Sequence, residues 1–571
     1  MKFLIKKIYI ILFLLIVFSI QTKSFGKTSK DNYKKENISN YFLGALSSEN
    51  NYDEKAFEYL KKVKRLKNTH SEFNLRYLNT LVLLDKFDEA FSFAEDIWTE
   101  ETLFYEADLL LSLKYFLKGN HKKGKIYFDR VNKVSRNNLF FKDFIGNAFM
   151  AWSAATTNNK VNSFANLNKI PDRYDNIRDT QNIFLQCYFD SNQVEKSFDE
   201  LDKNGKLDFS RYNFFHINYL LFKNKNIEAE KIIAKSREKY SSNLLLSQTE
   251  NFFIDNKKNE IKKMFNCKNP KDALAEFFYV IANLYAGEQE YKMSNFYLKI
   301  SLFLNNNFLP NKALLAENFY YQGKNEKSKN IYHSIKSIGP IYFWHATKNI
   351  ASILLKENTN TKFSIDSIEK DFKLLINPNF QHYYELANFY KDNSYFEKSI
   401  KYYSIALNQI ENDHYLVPKI LDRRGTSYER IDKWKSAEKD LLKSLEILPD
   451  QPRVLNYLAY TWIDKGINLD KGLEMLIKAN DLRKNDGYII DSLGWAYFAK
   501  KNYVEAKFYL EQAVEILPLD PVINDHYADA LWMLNKNIQA RYFWDHILKF
   551  DATEEELKQK INKKLIFGVK N

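Results

Sequence analysis

Residues 487–518 read GYIIDSLGWAYFAKKNYVEAKFYLEQAVEILP, and their spacing decides the fold. Counted from Gly487 as position 1, Leu493 and Gly494 stand at 7 and 8, Tyr497 at 11, Ala506 at 20, Leu510 at 24, Ala513 at 27 and Pro518 at 32. Apolar residues run at helical intervals through Tyr488, Leu493 and Tyr497, then through Val504, Phe508 and Leu510. The small residues dictate how two such helices pack. Gly494 lets the first approach the second, Ala506 keeps the turn-side contact close, and Pro518 stops the second because it cannot continue one.

The signature recurs along the chain. A step of 34 residues from Leu493, Tyr497, Ala506 and Leu510 reaches Tyr527, Leu531, Ala540 and Trp544. Upstream, Gly425, Tyr428, Ala437, Leu441 and Pro449 make another copy, and Leu458, Ala459, Trp462, Gly472, Leu476 and Ala479 fit with one residue inserted at GINLD. Ala387, Tyr390, Ser399, Tyr403 and Ala406 precede them. Near the N-terminus Ala56, Ala90 and Gly124 lie 34 apart, and Gly44 stands 12 before Ala56. Weaker pairs are Ser163 with Ser197 and Ser294 with Ser328. A fixed period over this much chain predicts a repeat array in which each unit touches only its neighbours. The pattern resembles the tetratricopeptide (TPR) repeat, which implies an all-α superhelical solenoid of roughly a dozen helix-turn-helix units.

Composition agrees. Among 571 residues there are only 10 prolines and 15 glycines, and no alternating apolar runs of the kind strands need. Tyr and Phe, 38 and 45 in number, are chiefly fillers between helices, with some free to line a groove. The first 26 residues are of another class: Lys2, Lys6 and Lys7, then an unbroken apolar run Ile8–Ile20, then the small-x-small site Ser24-Phe25-Gly26. This reads as a cleavable secretory signal, the run being short of the ~20 residues that span a bilayer. Retention as an anchor is the alternative. The expected organisation is thus a signal at 1–26, a linker at 27–38, a partly degenerate array at 39–375, a well-formed array at 376–550 and a helical tail at 551–571. The expected location is the periplasm, with no transmembrane segment in the mature chain. No cysteine follows the apolar run, so lipid attachment there is not expected.

The formal net charge of +13 includes Lys2, Lys6, Lys7 and Lys23 of the leader. Acidic residues are interspersed throughout and Lys, Asn and Ile are enriched together, a bias of AT-rich genes; no nucleic-acid partner is expected. The two cysteines, Cys187 and Cys267, are 80 residues apart in separate repeats, and a bridge between them is not expected of neighbour-only contacts. The chain has no HExxH, GxSxG, GxxxxGK[ST] or GxGxxG motif. His526 and His546 make no recognisable metal pair. Neither catalytic residues nor a cofactor or metal are expected.

In the TPR fold the resemblance implies, the first helix of each unit lines a concave groove through positions 2, 5, 9 and 12. The three C-terminal units then present Arg453, Asn456, Tyr460 and Ile463; Tyr488, Asp491, Trp495 and Phe498; and Val522, Asp525, Asp529 and Trp532. A polar row Asn456, Asp491, Asp525 beside Tyr460, Trp495 and Trp532 suits an extended peptide or partner helix. Trp495 and Trp532 could equally close the core between repeats. Position 6 holds Tyr457, Ser492 and His526, which does not match the dicarboxylate clamp of chaperone-binding TPR domains.

Residues 451–550 resemble something narrower. LNYLAYTW, GINLDKGLEM, DGYIIDSLGW and PVINDHYADALW are similar to the C-terminal block of a family of proteobacterial envelope TPR proteins. One branch of it is an outer-membrane lipoprotein adaptor of a periplasmic carboxyl-terminal processing protease. The resemblance implies a non-catalytic adaptor or assembly factor for envelope proteins, a periplasmic protease and its substrates among them. A structural component of a secretion, pilus or polysaccharide-export machine, and an enzyme with an unrecognised site, are the alternatives. That branch is lipidated through a cysteine this chain lacks.

Overall fold

Helix pairs form where the small residues lie. The computed structural model describes residues 35–133, 142–203, 210–239, 243–357, 361–375 and 378–569. The expected leader and most of the expected linker fall outside these; the first described helix starts at Lys35. Among the described residues there are thirty-one α-helices and no strand. Thirty of them pair in sequence order, from Lys35–Glu49 with Asp53–Lys62 to Pro521–Met533 with Asn537–Ile547, and Glu555–Phe567 closes the array. Fifteen pairs exceed the dozen expected, because the weakly marked stretch 236–375 is also built of pairs.

Ala56, Ala90, Ala437, Ala506 and Ala540 occupy the same place in their second helices and have no exposed surface. Ser163, Ser294, Ser328 and Ser399 hold that place elsewhere, equally buried. Serine is tolerated because its hydroxyl finds an acceptor: Ser163 Oγ donates to the Asn159 carbonyl and Ser328 Oγ to that of Ala316, both at 2.8 Å. A Cβ on Gly494 would stand 2.6 Å from Leu510 Cγ, one on Gly44 2.7 Å from Leu60 Cγ, and one on Gly425 3.0 Å from Leu441 Cγ. These glycines mark close approaches within helix pairs. Gly124 is buried too, but faces the Phe128 ring of its own helix.

The turns repeat as well. Two residues before the second helix the backbone passes through the left-handed region at Asn51, Asp85, Asn158, Asn224, Asn256, Asp432 and Asn535. Asn and Asp enter that region more readily than other residues with a Cβ. Part of the asparagine enrichment therefore has a structural use. In the pair carrying the inserted residue, Gly466 and Asn468 are both left-handed, at φ +68° and +48°.

The chain divides into two compact units, 1–374 and 375–571. In the second, each pair packs mainly on its sequence neighbours, and the buried side chains fall into small local clusters. In the first, one continuous core of described residues runs from Ala56 to Ile353. It arises because the chain folds back: Pro270–Gly287 packs on Ile145–Thr156 and Asp175–Tyr188, and Tyr291–Leu304 on Ser71–Leu83. The Tyr105 and Tyr297 hydroxyls hydrogen-bond at 2.9 Å, Phe87 stacks on Phe303 at 4.0 Å, and Lys292 Nζ donates to the Ser48 carbonyl at 2.7 Å. Neighbour-only contact fails in this unit.

That failure overturns the cysteine expectation. Cys187 and Cys267 form a disulfide, with Cα atoms 6.0 Å apart. Cys187 lies in Asp175–Tyr188, and Cys267 just ahead of the helix that returns to pack against it. Gln181 Nε2 donates to the Ala273 carbonyl at 3.1 Å, and Phe184 meets Phe265 at 4.7 Å, fixing the same seam.

Candidate functional site

Val417–Glu429, Pro452–Asp464, Gly487–Ala499 and Pro521–Met533 are the first helices of the last four pairs, and they carry Asp422, Asn456, Asp491 and Asp525 at equivalent positions. Three of these four meet a basic side chain from further along the chain. Arg453 pairs with Asp422. His526 Nδ1 lies 2.9 and 3.1 Å from the two oxygens of Asp491. Lys564 of the closing helix reaches between Asp525 and Asp529 and donates to all four carboxylate oxygens at 2.7–2.8 Å. Trp544 Nε1 also donates to Asp525, at 3.1 Å.

The electrostatics follow from this closure. Burial works against a charged His526, but Asp491, with Asp525 and Asp529 behind it, outweighs burial and raises the imidazole above its ordinary value. Burial, then the neighbouring Asp525, pushes Asp529 up to about 6 against the pull of Lys564. Lys564 is likewise disfavoured by burial and more than compensated by the two carboxylates, so its pKa is raised. The carboxylates expected to face a partner are therefore spent on joining one unit to the next.

Asn456 differs. Its Oδ1 is buried and has no hydrogen-bond partner among the described residues; in the same row Asp422 Oδ1 is open as well, with Arg453 on its other oxygen. Around it the aromatics are uncovered to different degrees. Tyr488 is 59% exposed, while Tyr460, Trp495 and Phe498 are half-buried. Trp495 stacks on Phe498 at 4.6 Å and on His526 at 4.1 Å, which presents its ring as a rigid platform. Trp532 is half-buried as well. It packs with Trp544, lies under Arg541, and meets the backbone of Gly568, whose φ of +71° lets the chain turn against the ring.

Of the nine groove residues named from sequence, Asn456, Tyr460, Tyr488, Trp495 and Phe498 keep accessible or unpaired groups on adjoining helices; Asp491, Asp525, Asp529 and Trp532 are engaged within the chain. Ile463, at the last inward position of its helix, is in the core against Gly472. Val522 is exposed.

Two cations were missed. Arg423 Nη1 donates to Asn388 Oδ1 at 2.8 Å, and its guanidinium lies 6.0 Å from the Tyr384 ring. Lys391 is half-buried, and burial, reinforced by Arg423, Arg453 and Arg430, lowers its pKa. The positional count that found Asn456, extended two pairs upstream, reaches Lys391 at position 12; Arg423 stands at position 6, outside the inward set. Among the described residues no group of three or more His, Cys, Asp or Glu could hold a metal ion.

Repeated helix pairs with a small residue at each close approach make the chain a TPR repeat protein. Such arrays are protein-interaction scaffolds, presenting extended concave surfaces to their partners. No family model matches the chain. It is 31% identical over 99 residues to the TPR repeat-containing protein PA4667 of Pseudomonas aeruginosa, a match that spans 17% of this chain and 17% of that protein's length. Among solved structures, MamA from Desulfovibrio magneticus RS-1 aligns with 31% of this chain and 97% of its own, at 14% identity and a TM-score of 0.28. A Pseudomonas aeruginosa pilF structure aligns with 32% of this chain and 83% of its own, at 17% identity and a TM-score of 0.28.

Proposed function

We propose that the chain is a non-catalytic adaptor or assembly factor of the cell envelope that holds an extended segment of a partner protein along the inner face of residues 452–498. The open acceptor Asn456 Oδ1, with Asp422 Oδ1 open at the equivalent position of the preceding pair, carries this reading, because a buried acceptor without a partner calls for an N–H from outside. A peptide backbone amide supplies one, and Tyr460, Tyr488 and Trp495 give its side chains apolar contact at low entropic cost. In the 1–374 unit the first helices Ser71–Leu83, Ile145–Thr156 and Asp175–Tyr188 are already packed against Pro270–Gly287 and Tyr291–Leu304. This favours the second unit as the place of binding. The Cys187–Cys267 disulfide supports an oxidising compartment, in keeping with the basic-apolar-small pattern of residues 1–26. A periplasmic protease and its substrates are the partners the C-terminal motifs favour.

Affinity capture from the envelope with wild type, Asn456→Ala and Trp495→Ala tests the reading. Loss of Trp495 should weaken the main co-purifying partner by ~2 kcal/mol or more. Asn456→Ala should weaken it while leaving stability unchanged or raised, since it removes an unsatisfied group. Capture unchanged by both substitutions would refute the groove.

A further inference from the structure

The first described helix of the array is inside out. In Lys35–Glu49 the buried residues are Asn37, Asn40, Gly44 and Ser48, while Ile38, Phe42, Leu43 and Leu46 are 42%, 64%, 40% and 61% exposed. Ile38, Phe42 and Leu46 follow one another at four-residue steps, so they form one continuous stripe. The terminal unit of a repeat array ordinarily shows a polar outer face, because no further unit covers it. An apolar stripe at that place marks a surface that is covered in the working protein.

The stripe is complementary to itself. Set two copies of the helix antiparallel with Phe42 opposite Phe42: Ile38 then meets Leu46 of the other copy, and Leu46 its Ile38. At the ends, Lys35 meets Glu49 of the other copy, and this happens twice. Both charges are available for it. Lys35 is exposed, and Glu49, though paired with Arg76 at 2.5 Å, keeps 59% of its side chain exposed. One register thus buries all the apolar residues of the stripe and places opposite charges at both ends, as a two-fold interface requires.

We propose that the exposed face of Lys35–Glu49 is a homodimer interface, its occupant the same helix of a second copy of this chain in antiparallel register about Phe42. The contact is small, so the dimer should dissociate on the order of micromolar. Sedimentation of the purified chain across that range should show monomer and dimer in exchange. Phe42→Asp should raise the dissociation constant about 100-fold with unchanged helicity, since the side chain is exposed in the single copy. Lys35→Glu and Glu49→Lys should each weaken self-association, because each sets like charges together twice. An equimolar mixture of the two variants should associate more tightly than either alone, because both end pairs are then opposite in sign. A chain that stays monomeric at about 100 μM would overturn the proposal and leave the stripe to residues 1–34 or to another protein. So would a dimer insensitive to Phe42→Asp, or a mixture no tighter than its components.

Discussion

Replacing Lys564 with Met removes the cation that holds two buried carboxylates together. The Lys564 side chain is 21% exposed, and those of Asp525 and Asp529 are 10% and 6% exposed. Without the ammonium the two like charges face each other on one helix, four residues apart. The least costly relief is proton uptake by Asp529, whose pKa stands at about 6 even with Lys564 present. At pH 7.5 that uptake costs at most about 2 kcal/mol, at 1.36 kcal/mol per unit. Loss of the charge-assisted hydrogen bonds adds about 1–2 kcal/mol. The expected destabilisation is therefore about 2–4 kcal/mol at pH 7.5, shrinking to about 1–2 kcal/mol at pH 5.5, where Asp529 already takes up its proton. Damage should stay local, because the core of Ala506, Trp544 and Ile561 is one of several separate clusters. Hydrogen exchange read by mass spectrometry should show faster opening of 521–567 and unchanged protection in 35–133. A loss under about 0.5 kcal/mol at pH 7.5, or a loss that does not shrink on acidification, would refute the reasoning.

Ala506→Phe should overpack the contact between Gly487–Ala499 and Tyr503–Ile516 and cost about 1–3 kcal/mol in urea unfolding, leaving the 1–374 unit intact. Reduction of Cys187–Cys267, or replacement of both residues by Ser, frees a closed loop of 80 residues and should cost the 1–374 unit about 4 kcal/mol, read as a lower melting temperature of that unit alone. His526 has a folded pKa above its unfolded value, so its contribution is complete below about pH 6.5 and is lost as pH rises through the folded pKa. The last two pairs should accordingly resist thermal unfolding better at pH 6 than at pH 8.5, and His526→Asn should flatten that difference.

Sequence legibility followed the range of the interactions. Gly494, Ala506 and their copies report a contact made within one helix pair, so spacing alone revealed it. The 1–374 core was hidden for the opposite reason. Tyr105 and Tyr297 are 192 residues apart, and each reads alone as an ordinary interhelical filler. The disulfide was missed with the fold-back, since Cys187 and Cys267 meet only through it. In the acidic row, spacing placed Asp491 and Asp525 on the right helices and left their partners unseen. A local signal was available: Asp525 and Asp529, four apart on a helix, repel each other unless a cation intervenes. The closing helix carries Lys564 for that purpose. Asparagine at the turns was masked by composition, because the same residue is abundant everywhere in the chain.

The fold-back also sets an order of events in folding. Ser48 receives its hydrogen bond from Lys292, 244 residues later, and Lys299 pairs with Asp85 across a similar span. The N-terminal helices cannot bury their inner surfaces until the chain is present through about residue 304, so the 1–374 unit has a high contact order and folds late and as a whole. Residues 378–569 need only the next pair to close each cluster and can fold stepwise as they arrive. A chain read out from its N-terminus thus carries its slow half first, still unfolded while the rest is made. Were the chain exported as an open strand, as the proposed envelope role would require, that delay would keep its leading half fit for transport. The same delay exposes apolar helices to aggregation before the core closes, which makes the interval before Pro270–Leu304 arrives the vulnerable step in making this molecule.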